Sequence, residues 1–137
     1  MRHFILASHG TFSEGIYNSV KIIMGDQPNV HVITAYVEEG QDIKALISQE
    51  VSSISTEDEV VICTDVFGGS VNNEMMMYLN RPHFHLITGM NLPLLMNLFL
   101  RTDEDAATVI RQSLLEAKDG MIYCNDTFGK VAEEGEF

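Results

Sequence analysis

Apolar runs and helical stripes alternate along this chain. Phe4-Ile5-Leu6-Ala7 is short and continuously apolar, the pattern of a strand buried on both faces. From Ser13 to Met24, Ile16, Val20, Ile23 and Met24 fall at helical spacing, and Gly25 closes the helix. Val30 to Val37 is rich in β-branched residues and predicts a second strand. Asp42 opens a second helix, with Ile43, Leu46, Ile47, Val51 and Ile54 on one stripe. Glu59 to Cys63 predicts a third strand, and Ser70 to Leu79 a helix that must end before Pro82. Phe84 to Ile87 reads as a fourth strand. Asn91 to Leu100 and Asp103 to Lys118 read as two more helices, and Met121 to Cys124 as a short fifth strand. Short strands buried on both faces, alternating with helices, predict an α/β, doubly wound, three-layer domain. Its sheet is parallel, with helices on both sides.

Length keeps this picture simple. The 137 residues suit one domain over 1–137 and suffice for a sizeable core; residues 129–137, acidic at their end, read as a flexible tail. Charge narrows the partners. Twenty acidic residues against eight basic ones give a formal charge of −12. That argues against nucleic acid and anionic membranes, both of which need Lys and Arg clusters. A protein partner with a basic rim would instead be steered toward the chain. Arg2 and His3 lead straight into Phe4–Ala7, an apolar run too short for a signal peptide or a span. The expected location is therefore cytoplasmic. Cys63 and Cys124 each lie in an apolar run with no CxxC spacing, so both are expected to be buried free thiols rather than disulfide partners or metal ligands.

In sheets of this kind, ligands bind outside the carboxyl ends of the strands, where strand order reverses. Three polar, glycine-containing loops lie at such ends: Ser8-His9-Gly10-Thr11, Thr64-Asp65-Val66-Phe67-Gly68-Gly69-Ser70, and Thr88-Gly89-Met90-Asn91. If the first and third strands are neighbours, His9 and Asp65 meet at the rim. His9 directly follows an apolar strand and precedes Gly10, which permits a tight turn that exposes the ring. The competing reading is a histidine that only caps a strand end. A carboxylate at Asp65 can accept the Nδ1 proton and leave Nε2 as a nucleophile. Its own competing reading is a cap or turn residue. Gly68-Gly69-Ser70, between strand and helix, lets backbone amides approach an anion, although Ser70 could equally be an N-cap alone. No Walker loop and no G-x-G-x-x-G is present, which counts against nucleotides and dinucleotides. His3, His31, His83 and His85 are read as surface or strand-edge residues, Met75-Met76-Met77 as core filling, and Asp103-Glu104-Asp105 as a solvated helix start.

Taken together, these loops resemble the enzyme IIA domain of the mannose/fructose/sorbose class of the bacterial sugar phosphotransferase system. The resemblance covers nearly the whole chain. It is carried by A-S-H-G after the first strand, T-D-V-F-G-G-S-V-N after the third and I-T-G-M-N-L-P-L-L after the fourth. It implies a phosphoryl carrier in which His9 is phosphorylated on Nε2, Asp65 is its hydrogen-bonded partner, and Gly10, Gly68, Gly69 and Ser70 line the phosphoryl site. The implied donor is the phosphocarrier HPr and the implied acceptor is the IIB component, with membrane IIC and IID components engaged indirectly. The implied fold is a four-stranded parallel sheet, with a further antiparallel C-terminal strand exchanged across a homodimer. No metal or organic cofactor is implied. Members commonly have S-P-F-N after the double glycine, where this chain has Ser70-Val71-Asn72-Asn73. No proline- and alanine-rich linker or IIB domain follows, so a free-standing IIA subunit is expected. Three readings compete, the first two being the phosphotransfer subunit of a dihydroxyacetone kinase and a regulatory module in which phosphorylation of His9 signals. A ligand-binding domain of flavodoxin-like fold without enzymatic activity is the third.

Overall fold

The computed structural model describes residues 1–127. The elements run β1 (Arg2–His9), α1 (Phe12–Met24), β2 (Val30–Ala35), α2 (Ile43–Ser52), β3 (Glu59–Thr64), α3 (Ser70–Met76), β4 (Phe84–Thr88), α4 (Leu92–Leu100) and α5 (Ala106–Asp119). The four strands form one sheet in the order β2-β1-β3-β4, and every pairing is parallel.

Alternation along the strands builds two cores. Phe4 and Leu6 of β1, with Val61 and Cys63 of β3, face α1, α4 and α5. Ile5 and Ala7, with Val60 and Ile62, face α2 and α3. The period of two therefore divides one continuous apolar run between two helical layers. The stripe predicted on α2 does the same work: Ile47, Val51 and Ile54 are buried, and Asp42 caps the helix by accepting from the Ala45 amide at 3.1 Å. Asn91 and Asp105 cap α4 and α5 likewise, through the amides of Leu94 and Thr108.

Several expectations are corrected. The predicted second strand stops at Ala35, because Tyr36 takes a left-handed backbone with φ of 63°. The third helix ends at Met76 instead of Leu79. Met77, Tyr78 and Leu79 bond back three residues rather than four, the tighter geometry that often closes a helix. Only Met75 of the methionine triplet is core, while Met76 and Met77 are exposed. The last helix starts at Ala106, with Asp103 and Glu104 in the turn ahead of it. Among the described residues no fifth strand forms: Met121, Ile122 and Tyr123 have no regular structure and Cys124 enters a helical turn. A strand needs a neighbour to bond to, and these residues lie exposed with none among the described residues. Cys124 is exposed as well, whereas Cys63 is buried as expected and its thiol is pushed up to about 12 by burial. The tail expected over 129–137 lies outside the described residues.

Candidate active site

The strand order reverses across β1. The first connection moves the chain from β1 to β2 on one side, and the next brings β3 to the other. The carboxyl ends of β1 and β3 therefore open a crevice, which is where this topology binds ligands. His9 is the last residue of β1 and Asp65 follows the last residue of β3.

The end of β1 is anchored before it turns. Ser8 is fully buried, and its hydroxyl accepts the Ser13 amide at 2.8 Å, serving as the cap that Thr11 does not supply to α1. Ser13 in turn donates from its hydroxyl to the Ile33 carbonyl of β2 at 2.8 Å. Gly10 adopts φ of 61°, a conformation that glycine enters without steric cost, and so the chain leaves the strand sharply. Its amide donates to the Ala35 carbonyl at 2.7 Å. Gly10 thus supplies the turn, and its N–H is already occupied.

The His9 ring is held from both nitrogens. Nδ1 lies 2.9 Å from Asp65 Oδ2, and the same oxygen accepts the His9 backbone amide at 2.8 Å. Asp65 Oδ1 accepts the Val66 amide at 3.0 Å. Burial opposes ionisation of Asp65, but the bonds from the His9 backbone and ring outweigh it and hold the carboxyl below the usual carboxylate range. An ionised carboxylate only accepts, so the proton between them sits on Nδ1 and the neutral ring carries its lone pair on Nε2. Nε2 lies 3.3 Å from the Ser70 hydroxyl. The side chain of His9 is 40% exposed against 12% for Asp65, so the carboxylate is covered while the imidazole reaches solvent.

Gly69 sits against this ring. A Cβ there would lie 3.1 Å from His9 Cε1, so any side chain would press on the imidazole. Gly69 occupies the N-cap position of α3, Gly68 (φ 80°) precedes it, and Ser70 is the first helical residue with its hydroxyl turned to the site. The Gly68 amide has no hydrogen-bond partner among the described residues. Ser70 is therefore a site residue here and not the N-cap. Beneath it, Thr64 donates to Asn72 Oδ1 at 2.7 Å, a buried tie between β3 and the first turn of α3.

Tyr36 is the site residue that the sequence pattern did not single out. Its ring stacks on His9, with centroids 5.5 Å apart and planes 19° apart, and its hydroxyl lies 2.7 Å from that of Ser70. The sequence carries no signal for it: only the register, in which Ala35 pairs with His9, puts the next residue on the same rim. The third predicted loop is used otherwise. Asn91 caps α4, Met90 is buried, and the Met90 amide donates to the Thr64 carbonyl. The other histidines gather at the opposite ends of the strands. Six residues of strand, about 20 Å, separate His3 from His9. His3 contacts His31 and Asp58, while His85 approaches Glu59. Among the described residues, no group of three or more His, Cys, Asp or Glu is placed to hold a metal ion.

The arrangement is a solvent-facing imidazole oriented by a carboxylate at the switch point of a parallel sheet. A model of the family described as the phosphotransferase system fructose IIA component matches residues 3–114. The chain belongs to this family, the mannose/fructose/sorbose class of IIA components. As a IIA component it is part of the sugar phosphotransferase system. Its sequence is 26% identical over 105 residues to the mannose-specific EIIAB component of Escherichia coli K12, covering 74% of this chain and 32% of that relative. It is 28% identical over 94 residues to the fructose-specific EIIA component of Bacillus subtilis, covering 67% and 64%. The match thus spans about a third of the first relative and less than two thirds of the second. Among solved structures, a Klebsiella pneumoniae protein assigned as a permease of the phosphoenolpyruvate-dependent sugar phosphotransferase system superposes with a TM-score of 0.90. It is 44% identical, and 93% of each chain is covered. The mannose/sorbose-specific IIA subunit of Enterococcus faecalis, at 18% identity and a TM-score of 0.79, covers 88% of this chain and 92% of that one, and shares the fold. No helix among the described residues is long and apolar enough to cross a membrane.

Proposed function

We propose that this IIA component carries a phosphoryl group on Nε2 of His9, taking it from phosphorylated HPr and passing it to a IIB component for sugar uptake. The observation that carries this reading is the Asp65–Nδ1 hydrogen bond of 2.9 Å, which leaves Nε2 with its lone pair unprotonated on a ring that is 40% exposed. In the transfer, that lone pair forms the new N–P bond as the donor's N–P bond breaks, and the released electron pair returns to the donor imidazole. The Nδ1 proton stays with His9, so positive charge grows on the ring and the Asp65 carboxylate offsets it. Little covalent work remains for the protein beyond alignment and support of the phosphoryl oxygens. Ser70 and the Gly68 amide are the groups offered for that support. The Gly69 amide, which already donates to the Val66 carbonyl at 3.3 Å, and the Gly10 amide, already bonded to Ala35, are not.

Phe12, Tyr36, Val37, Val66 and Phe67 lie in the site loops or within two residues of a site residue and are exposed, Phe67 to the extent of 75%. Such an apolar collar suits a protein face rather than a free sugar. The charge of −12 favours partners with basic rims, which fits transient encounters with HPr and IIB in the cytoplasm. The IIC and IID membrane components would then be reached only through IIB. We place the chain in a homodimer that exchanges the segment after α5.

The test is incubation with HPr, the enzyme that phosphorylates it and labelled phosphoenolpyruvate. Acid-labile label should appear on the wild-type chain and be absent from His9→Ala. Undiminished labelling of His9→Ala would move the role to another histidine. No label on the wild type would leave a domain of this fold with a different task.

A further inference from the structure

Tyr36 is built into the site more firmly than an exposed tyrosine needs to be. A bulky residue at φ of 63° is uncommon and persists only where its surroundings over-determine it. Here Gln41 does so: its Oε1 accepts the Tyr36 amide at 2.8 Å, and its Nε2 donates to the Thr34 carbonyl at 3.4 Å. The reversal at the end of β2 is clipped from both sides, and the ring is delivered flat against His9.

The hydrogen bonds that follow have one self-consistent direction. Asp65 accepts from Nδ1–H, so Nε2 can only accept. Ser70 must then donate to Nε2 across 3.3 Å, and its oxygen is left to accept from the Tyr36 hydroxyl at 2.7 Å. Protons point along the series Tyr36, Ser70, His9, Asp65. When an N–P bond consumes the Nε2 lone pair, the Ser70 hydrogen loses its acceptor, and the new acceptors nearby are the phosphoryl oxygens. The Tyr36 hydroxyl can hold the Ser70 oxygen through that change.

We propose that Tyr36 is a positioning residue for transfer at His9: its ring aligns the imidazole, and its hydroxyl holds Ser70 for the move from Nε2 to a phosphoryl oxygen. This rests on His9 being the phosphoryl carrier. Tyr36→Phe keeps the stack and removes only the hydroxyl, while Tyr36→Ala removes both. At saturating phosphorylated HPr, single-turnover transfer should fall by about 3- to 30-fold in Tyr36→Phe, the loss expected of one orienting hydrogen bond, and further in Tyr36→Ala. A residue that merely docks HPr would instead raise the half-saturating concentration and spare the saturated rate. Tyr36→Phe combined with Ser70→Ala should be no slower than Ser70→Ala alone, because the hydroxyl acts through Ser70. A saturated rate equal to wild type in Tyr36→Phe, or losses that simply multiply in the double variant, overturns the proposal. The ¹⁵N signals of His9 in unphosphorylated protein provide a reading that needs no donor. Tyr36→Phe should shift Nε2 and leave Nδ1 nearly in place, and an unmoved Nε2 overturns the proposal even if the wild type takes no label, the result that would sink the carrier reading itself.

Discussion

At the scale of single residues, the site depends on which nitrogen of His9 holds the proton. Asp65 decides this through Oδ2, which takes both the ring and the backbone N–H of His9. Asp65→Asn keeps the size and removes the charge, and its amide can present a hydrogen to Nδ1 and reverse the tautomer. We expect single-turnover transfer to fall roughly 10- to 1,000-fold, the range for losing one orienting charge. The pH dependence of stability is a separate check with a definite sign. The Asp65 carboxyl is held below its ordinary value of 3.8 in the folded chain, so its stabilising contribution is complete above that value and lost as pH falls through the lowered one. Melting temperatures of wild type and Asp65→Asn should therefore converge below about pH 4. A gap unchanged down to pH 2 would mean that the carboxylate charge is not what Asp65 contributes. Wild-type transfer in a folded Asn variant would leave it a turn residue. Both His9 and Asp65 were legible beforehand, because each directly follows an apolar run at a strand's carboxyl end. Tyr36 was not. Val30–Val37 reads as unbroken strand, and only the three-dimensional pairing of Ala35 with His9 shows that the next residue overhangs the ring.

At the scale of elements, what could be read was what is local. Caps sit beside the helices they close, so Asp42 and Asn91 marked their starts in the sequence itself. The end of α3 is a different matter. Met77 to Leu79 continue the helical stripe, and their change to tighter bonding depends on the turn toward β4. The start of α3 is where this chain departs from the S-P-F-N that its resemblance led one to expect. Asn72 is 2% exposed, and its polar group is satisfied by the Thr64 hydroxyl. This tie lies beneath the loop that carries Asp65, Gly69 and Ser70. Asn72→Ala should cost about 1–3 kcal/mol, since it leaves the buried Thr64 hydroxyl only the distant Ile87 carbonyl, at 3.5 Å, and opens a small void. Thr64→Val with Asn72→Leu removes both partners, and should recover most of the loss because no buried polar group is left unpaired. Thermal melts of the three proteins decide it. A double variant as unstable as Asn72→Ala would show that shape, and not the hydrogen bond, is what the position supplies.

At the scale of the whole molecule, the order β2-β1-β3-β4 leaves β4 as an edge, with a groove on each of its faces. On the α5 side, His85, Ala107, Ile110 and Arg111 line a groove beside the strand. On the α3 side, Phe67, Met76, Leu79 and Leu86 line another, with the buried Thr88 hydroxyl lacking a hydrogen-bond partner among the described residues. Sequence pattern alone marked Met121–Cys124 as a strand but could not say what it pairs with, because β pairing is set by distant chain. Among the described residues the segment has no strand partner, and Met121, Ile122 and Tyr123 stand exposed at 85%, 57% and 68%. A strand laid along β4 by a second copy would send alternate side chains into the two grooves and pair an otherwise open edge. The same exchange made twice gives a closed two-fold dimer, so neither copy is left with a bare β4. Light scattering at micromolar concentration should therefore report a dimer, and a monomer there refutes the exchange. Removing the residues after Lys118 should shift the equilibrium toward monomer while the circular dichroism of the sheet and helices persists, since β1 to β4 and nearly all of α5 lie before the cut. A truncated chain that stays fully dimeric would put the interface elsewhere and return Met121–Tyr123 to its own surface.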